Sequence, residues 1–226
     1  MSRFDQFLAL PVTDAAESIE SYVDRLAAAN RLSLNAVAER LQLLRRQRFP
    51  AYWGLLLDTG AVEALAAHLQ VDPRPMTLER YDGRVLDLRG LDHEHAGSLR
   101  AVTRRNWMFA AGSRFCPHCL AESAAWPVAW KLPWSFVCVR HDCFLIDTCP
   151  TCRLRPRSHR AKGTTQPVFA SHVPLLRCCN NQPPSIGRNG RASRPCGHPF
   201  SRVSADDAGP ETLRLQRRLN EWMEAS

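Results

Sequence analysis

Pairs of candidate metal ligands separated by two residues, called metal-ligand steps here, recur through the second half of this 226-residue chain. They constrain its fold more than any other feature. Three of them read Cys116-Pro-His-Cys119, Cys138-Val-Arg-His141 and Cys149-Pro-Thr-Cys152. A gap of two residues lets one tight turn aim both side chains at a single ion, while backbone N–H groups point at the thiolates. Because two steps complete a tetrahedral set, the sequence predicts one zinc site built from Cys116, Cys119, Cys138 and His141.

A second zinc site starts at the Cys149–Cys152 step and needs two more ligands. The candidates downstream are Cys178, Cys179, Cys196 and His198. We predict Cys149, Cys152, Cys179 and Cys196 as this set, with Cys178 and His198 left open as replacements. A catalytic metal needs an open position, whereas the first set is closed by four ligands. We therefore expect two structural Zn²⁺ ions.

Disulfides are the alternative use of the nine cysteines. The count is odd, and residues 1–17 carry no basic head, apolar run or small-residue cleavage site of a secretion signal. Repeated Cys-Pro-x-Cys steps are also more typical of zinc sites. The sequence contains no run of about 18 apolar residues, so we expect no membrane span. The expected setting is the cytoplasm.

Charge divides the chain into two halves. Residues 1–97 carry 11 basic and 14 acidic side chains, a net of −3, whereas residues 98–226 carry 19 and 8, a net of +11. The ligand-bearing half is therefore electropositive, which favours a nucleic-acid or acidic-protein partner. All basic residues except Lys131 and Lys162 are arginine, a bias that a GC-rich genome also produces. Candidate contacts to the nucleic-acid backbone are Arg100, Arg104, Arg105, Arg153, Arg155 and Arg157.

Helical periodicity dominates the first half. Apolar positions predict helices over Ser18–Ala29 and Leu34–Leu44, with Ser33 as the N-cap of the second, and the pair has a helix-turn-helix outline. A third helix is expected over Ala61–Leu69. A basic helix is expected over 98–110, with Ser98 as its cap, and it leads into the first metal-ligand step.

Tryptophans recur at every fourth residue between the first two steps, at 126, 130 and 134. Pro127 and Pro133 forbid one unbroken helix there, so we expect a short helix inside a zinc-anchored hairpin. We expect the rings to form a small core rather than a base-stacking platform. Near the end of the chain, an amphipathic helix is expected over Glu211–Met223, with its apolar positions at Leu213, Leu215, Leu219 and Trp222.

The expected fold is therefore mainly α with small zinc-ribbon or zinc-finger modules. Residues 1–97 form helix-turn-helix-like helices in this scheme, residues 98–200 form two zinc-binding subdomains, and residues 201–226 form a C-terminal amphipathic helix.

The segment FCPHCLAESAAWPVAWKLPWSFVCVRHDCFLIDTCPTC (115–152) resembles the TniQ/TnsD family of transposition proteins. The shared order is a Cys-Pro-x-Cys-Leu step, a Trp-x-Leu-Pro segment, a Cys-x-x-His step with a short apolar stretch, and a further Cys-Pro-x-Cys. Upstream, residues 16–27 resemble the family's opening Glu-Ser and Arg-Leu-Ala motifs, after Leu10-Pro11. Downstream, Cys196-Gly197 is similar to the close of the second zinc site, although the adjacent Cys178-Cys179 pair and the 180–195 insertion depart from it.

The resemblance implies a non-enzymatic adaptor in DNA transposition. Such proteins join a target-selecting module, in some cases an RNA-guided CRISPR effector complex, to an AAA+ ATPase regulator. The TnsD branch binds an attachment site directly through extra C-terminal domains, and this chain ends soon after its second ligand set, so we expect the compact TniQ type. The resemblance also implies a bacterial protein that acts at the nucleoid. The sequence leaves homo-oligomerisation open.

Two other functions compete with the adaptor. A sequence-specific DNA-binding target selector would read bases with polar residues of the second helix, but its surroundings are acidic. A metal-dependent nuclease would have to use Asp92-His93-Glu94-His95, which has no second carboxylate cluster beside it in the sequence. We therefore expect no enzymatic activity.

Overall fold

The computed structural model describes residues 7, 9, 11, 16–43, 54–92, 95–108, 112–158, 174–181 and 195–225. Over these residues the chain is mainly helical, as predicted, with short 3-10 turns between the helices. A two-stranded antiparallel sheet pairs β1 (Val137–Cys138) with β2 (Cys143–Phe144). The helices are α1 (Ile19–Ala29), α2 (Leu34–Arg40), α3 (Thr59–Leu69), α4 (Ala96–Arg105), α5 (Pro117–Glu122) and α6 (Pro210–Glu224).

Side-chain caps begin the first three helices. Ser18 Oγ accepts a hydrogen bond from Ser21 N, Ser33 Oγ accepts one from Ala36 N, and Asp58 Oδ1 accepts one from Ala61 N. Each cap satisfies one of the backbone donors that a helix leaves unpaired in its first turn. The prediction of Ser33 as an N-cap is confirmed.

Helices α1, α2 and α4 end in the same hydrogen-bonded turn, a Schellman motif. The residue after the C-cap has a left-handed backbone in each, with φ of 54° at Arg31, 55° at Gln42 and 55° at Trp107. In α4, for example, Met108 N donates to Thr103 O and Trp107 N donates to Arg104 O. Glycine usually occupies this position, and none of the three turns has one. The helices predicted to reach Leu44 and residue 110 therefore end at Arg40 and Arg105.

The start of α4 also differs from the prediction. Its N-cap is His95, and Ser98 lies inside the first turn. The Ser98 hydroxyl accepts from Asp92 N and donates to His95 O, so it ties the helix to the preceding loop without capping it.

Three apolar clusters form most of the core. The first joins α1, α2 and α3, and the third surrounds the cysteines. The second takes Leu55 and Leu78 from before residue 97 and Val128 and Leu132 from after it, together with Met223 of α6. This cluster contains residues from both sides of the expected boundary. The division into domains at residue 97 stays a prediction.

Helix α6 packs back on the protein through a face that differs in part from the predicted one, since Leu213 is buried but Leu215 and Trp222 are not. Leu213, Gln216 and Met223 are buried, whereas Leu215 is 52% and Trp222 is 53% exposed. Gln216 Oε1 accepts from the backbone N–H groups of residues 136 and 137 at 3.0 and 3.1 Å, and its Nε2 donates to the carbonyl of residue 134. Because buried polar groups need hydrogen-bond partners, the contacts of Gln216 determine which face of α6 points inward, although leucines lie on another face. Within the described part of the chain, no helix has the length and apolar content to cross a membrane.

Candidate metal centres

The first ligand group is assembled by a short helix and a hairpin. Cys116 precedes α5 and caps it, because its Sγ accepts from Cys119 N at 3.5 Å, and Pro117 starts the helix where no N–H is needed. Cys138 lies on β1, and His141 lies in the turn before β2. His141 Nδ1 is 3.5, 3.2 and 3.5 Å from the sulfurs of Cys116, Cys119 and Cys138.

A carboxylate orients the histidine of this group. His141 Nε2 lies 3.0 Å from Glu122 Oε1, and the other oxygen of Glu122 pairs with Arg140 at 2.8 Å. With a metal ion bound at Nδ1, Nε2 would carry the ring proton and donate it to Glu122, so the carboxylate fixes the orientation of the ring. Sequence reasoning assigned Glu122 no role. Its position three residues after Cys119 in α5, on the same side of the helix, is the signal that would have found it.

The second ligand group is closed by residues far apart in the chain. Cys149 Sγ lies 3.8 Å from Cys196 Sγ, and Cys152 Sγ lies 3.7 Å from Cys179 Sγ. Backbone hydrogen bonds align the two distant segments, because Cys179 N donates to His198 O and Cys196 N donates to Asn181 O.

The two replacements left open for this group lie outside it. The ligand atoms that come together are those of Cys149, Cys152, Cys179 and Cys196, and Cys178 is not among them. His198 directs Nδ1 at Thr151 Oγ1, 2.8 Å away. The structure thus brings together the eight side chains selected from the sequence, in two separate groups of four.

Each group could hold one metal ion. The four ligand atoms of each lie within 4.8 Å of one another. Zinc–sulfur bonds of about 2.3 Å in a tetrahedron separate the sulfurs by about 3.8 Å. The sulfur pairs lie 3.6 Å apart in the first group and 3.8 and 3.7 Å apart in the second. The metal-binding part of the predicted fold is therefore confirmed as two Cys/His groups that could take an ion.

The thiols of the first group lie close enough to share protons. Hydrogen bonds from Cys119 and Cys138 lower the pKa of Cys116 to about 2, and the contact with Cys116 raises the pKa of Cys119 far above its usual value. One sulfur is thus charged at the expense of its neighbour. A coordinated metal ion removes this competition, because every coordinating thiol is then deprotonated.

Cys143 is a ninth cysteine to which sequence reasoning gave no role. It faces Cys138 across the hairpin, is buried, and places its Sγ 3.7 Å from Cys116 Sγ. Burial raises its pKa to about 12, so it remains a thiol that can donate to the Cys116 sulfur from outside the ligand group.

An aromatic core supports both groups. Trp126 and Trp130 are buried beside Phe115 and Phe200, with the Phe115 and Phe200 ring centroids 4.5 Å apart. The prediction that these tryptophans form a small core is confirmed. Trp134 lies elsewhere, partly buried in the second apolar cluster.

Buried polar contacts join the N-terminal motif to this metal-binding region. Ser21 Oγ accepts from Trp126 N at 3.0 Å and donates to the buried carboxylate of Glu17. The Nζ of Lys131 lies 2.5 Å from Glu20 Oε2, in an ion pair that is nearly closed to solvent. A Cβ at Gly54 would force the Glu20 side chain to move, so the glycine leaves room for this pair.

A second buried pair adds to these contacts between the N-terminal helices and the metal-binding region, which together form a buried seam. Arg157 Nη2 lies 2.6 Å from Asp24 Oδ2, and its guanidinium lies 5.1 Å from the Trp126 ring centroid. The Arg157 side chain is only 10% exposed, so the prediction that it contacts nucleic acid needs correction: it pairs with Asp24 inside the protein. Arg155 is also turned inward, against Gly112, and pairs with Asp147 at 3.4 Å.

The other predicted basic contacts lie at the surface. Arg105 pairs with Asp87 at 3.2 Å and donates to the backbone of that loop. Arg100, Arg104 and Arg153 are exposed, and the described residues hold no acidic partner for Arg100 or Arg104. In the Asp92–His95 cluster, Asp92 Oδ2 and His95 Nδ1 lie 2.6 Å apart at the surface, and His93 and Glu94 lie outside the described residues.

Taken together, these features define a mainly helical protein with two candidate metal centres joined to its N-terminal helices. The family model named TniQ matches residues 9–145, which is more than half of the chain. The chain therefore belongs to the TniQ family, whose members are associated with transposition. No curated protein matches the chain. The matched residues include the whole first ligand group and end before the second.

Proposed function

We propose that this protein is a non-enzymatic adaptor in DNA transposition, linking a target-selecting complex to an AAA+ ATPase regulator. The observation that carries the proposal is the TniQ match over residues 9–145, since it covers the N-terminal helices and the complete first ligand group. The target-selecting complex is an RNA-guided CRISPR effector or a DNA-binding protein.

Two structural zinc ions hold the adaptor together in this proposal. The first group offers three sulfurs and one imidazole nitrogen, and the second offers four sulfurs. These donor sets in a tetrahedral arrangement are typical of structural Zn²⁺. Because each group has four protein ligands, neither leaves a position for a substrate or a reactive water.

Nucleic-acid backbone contacts come from the surface of α4. Arg100 and Arg104 are exposed there and supply positive charge without an acidic partner in the described part of the chain. Phosphate contacts of this kind position a protein without reading the sequence of bases. The protein partners dock elsewhere, on the N-terminal helical half.

Co-purification tests the proposal. The full-length chain, tagged, is expressed with the AAA+ ATPase encoded in the same mobile element, and we expect the ATPase to be retained on the tag. Targeted integration in the complete system should fall when Arg100 and Arg104 are both changed to glutamate. The matched control is Arg214→Glu with Arg218→Glu on α6, which changes charge equally and should keep integration. Failure to retain the ATPase would count against the adaptor role.

A direct site selector is the competing function. Helix α2 has seven residues, and its Asn35 is half-buried, which leaves a small surface for base contacts. A preference for one duplex that persists at high salt would support this function instead.

A further inference from the structure

One tryptophan stands outside every core of the described structure. The Trp107 side chain is 83% exposed, whereas Trp126 and Trp130 are buried. Trp222, at 53%, still makes an edge-to-face contact with Trp134, with ring centroids 6.4 Å apart. Burial of a large ring stabilises a fold, and Trp107 contributes almost none of that stabilisation.

The backbone of Trp107 is also unfavourable for this residue type. It occupies the left-handed position of the Schellman motif that ends α4, with a φ of 55°. Bulky side chains are rare outliers there, because the Cβ approaches the backbone. Arg31 and Gln42, at the same position after α1 and α2, are flexible polar residues. Exposure and backbone strain together indicate that Trp107 serves something other than folding.

Two exposed arginines of α4 precede the exposed ring in the chain. Arg100 and Arg104 lie about one turn apart on α4, and Trp107 follows in the turn that ends the helix, where its N–H donates to Arg104 O at 3.4 Å. The nearby Asp87 is already engaged, since it pairs with both Arg89 and Arg105. The patch therefore presents two arginines and one indole to solvent without a competing carboxylate from that loop.

We propose that the patch of Arg100, Arg104 and Trp107 binds unpaired nucleotides, with the indole stacked on a base and the guanidinium groups on the flanking phosphates. This rests on the proposed function and assigns its nucleic-acid partner a single-stranded segment. An intact duplex covers its base faces by stacking, so it offers phosphates to the arginines but no base face to the indole. Single-strand-binding proteins combine the same two elements, basic side chains and an exposed aromatic platform.

Trp107→Gly tests the stacking without damage to the fold, because glycine is the residue that this left-handed position prefers. Fluorescence anisotropy measures binding of the full-length, metal-loaded protein to labelled oligo-dT, oligo-rU and a duplex of matched length. We expect single-strand affinity to fall about tenfold or more, as the loss of one stacked base predicts. Duplex affinity should stay unchanged, and the melting temperature should equal or exceed that of the wild type.

Three further variants separate stacking from charge. Trp107→Phe should keep most of the single-strand affinity, because phenylalanine also stacks. Arg104→Gln should weaken binding of all three nucleic acids. It should also reduce the slope of log affinity against log salt concentration by about one. Trp222→Ala, the matched control in α6, should leave binding unchanged.

The outcomes divide cleanly. A loss confined to oligo-rU or to oligo-dT supports the site and identifies the nucleic acid. Wild-type affinity of Trp107→Gly for both single strands, an equal loss for duplex and single strands, or an equal loss in Trp222→Ala overturns it. None of these results changes whether the AAA+ ATPase is retained on the tagged chain, so the adaptor proposal stands or fails separately.

Discussion

The two candidate metal centres use similar ligands but are closed by different parts of the chain. The first spans 25 positions from Cys116 to His141, and the second brings together cysteines 47 positions apart. The longer span itself adds only about 0.6 kcal/mol of loop-closure entropy. The larger difference lies in the structure that holds the ligands in place. A capped helix, a hairpin and the Glu122 carboxylate position the ligands of the first group. In the second group, backbone hydrogen bonds align the distant segments. The first also lies within the residues that match the TniQ model, and the second follows them.

Loss of a ligand from the first group should have the largest effect. Cys119→Ser removes one of four ligands, and binding of a structural zinc is worth about 10–16 kcal/mol, as much as the whole stability of many domains. We expect this variant to hold about one metal ion or fewer per chain and to lose its cooperative thermal transition. Elemental analysis and a thermal melt measure both. An unchanged melt would exclude a folding role for the group.

Loss of a ligand from the second group should be less damaging. Cys196→Ser should release one metal ion and leave the first group filled, because the two groups share no ligand. We expect the melting temperature to lie between those of the wild type and Cys119→Ser. Cys178→Ser is the matched control and should retain two ions. If Cys196→Ser emptied both groups, the two centres would have to fold as one unit.

The buried seam should matter for stability without affecting the metals. Lys131→Met removes the ammonium that faces the Glu20 carboxylate, and breaking a buried pair costs about 3–5 kcal/mol. Urea denaturation should show this loss while the metal content stays at two. Adding Glu20→Gln should restore part of the stability. A metal content below two in the single variant would show that the seam and the centres are coupled.

The smallest effect is expected at Glu122. Glu122→Ala should weaken metal binding by the first group about 10–100-fold, because His141 loses the acceptor for its ring proton. Competition with a colorimetric chelator should detect one weakened ion and one ion of wild-type affinity. Glu211→Ala, an exposed change in α6, serves as the control. Equal release of both ions would contradict this distinction between the groups.

Short-range patterns predicted the ligands and the helices well. The two-residue gaps singled out the cysteines and His141, and the caps of α2 and its neighbours follow from local hydrogen bonding. The end of α1 at Ala29 was predicted correctly. The ends of α2 and α4 were predicted too late, because Gln42 and Trp107 occupy turn positions where glycine is the usual signal. Without a glycine at these positions, the sequence gives no signal that the helix ends there in a left-handed turn.

Long-range contacts explain the remaining differences. Arg157 was grouped with surface arginines, yet Asp24, far away in the chain, pairs with it beside Trp126. Leucine periodicity placed Leu215 inward, whereas the backbone groups that Gln216 satisfies turn α6 the other way. Neither partner can be identified from spacing along the chain.

The seam also limits how this protein can be recombined. Its acids, Glu20 and Asp24, belong to the N-terminal helices, and its bases, Lys131 and Arg157, belong to the metal-binding region. Part of the charge imbalance between the halves is therefore a matched set of contacts within one molecule. A chimera that takes its helices from one parent and its metal-binding region from another loses the stability of these pairs unless both parents carry the same pairing. The two halves are therefore best exchanged together.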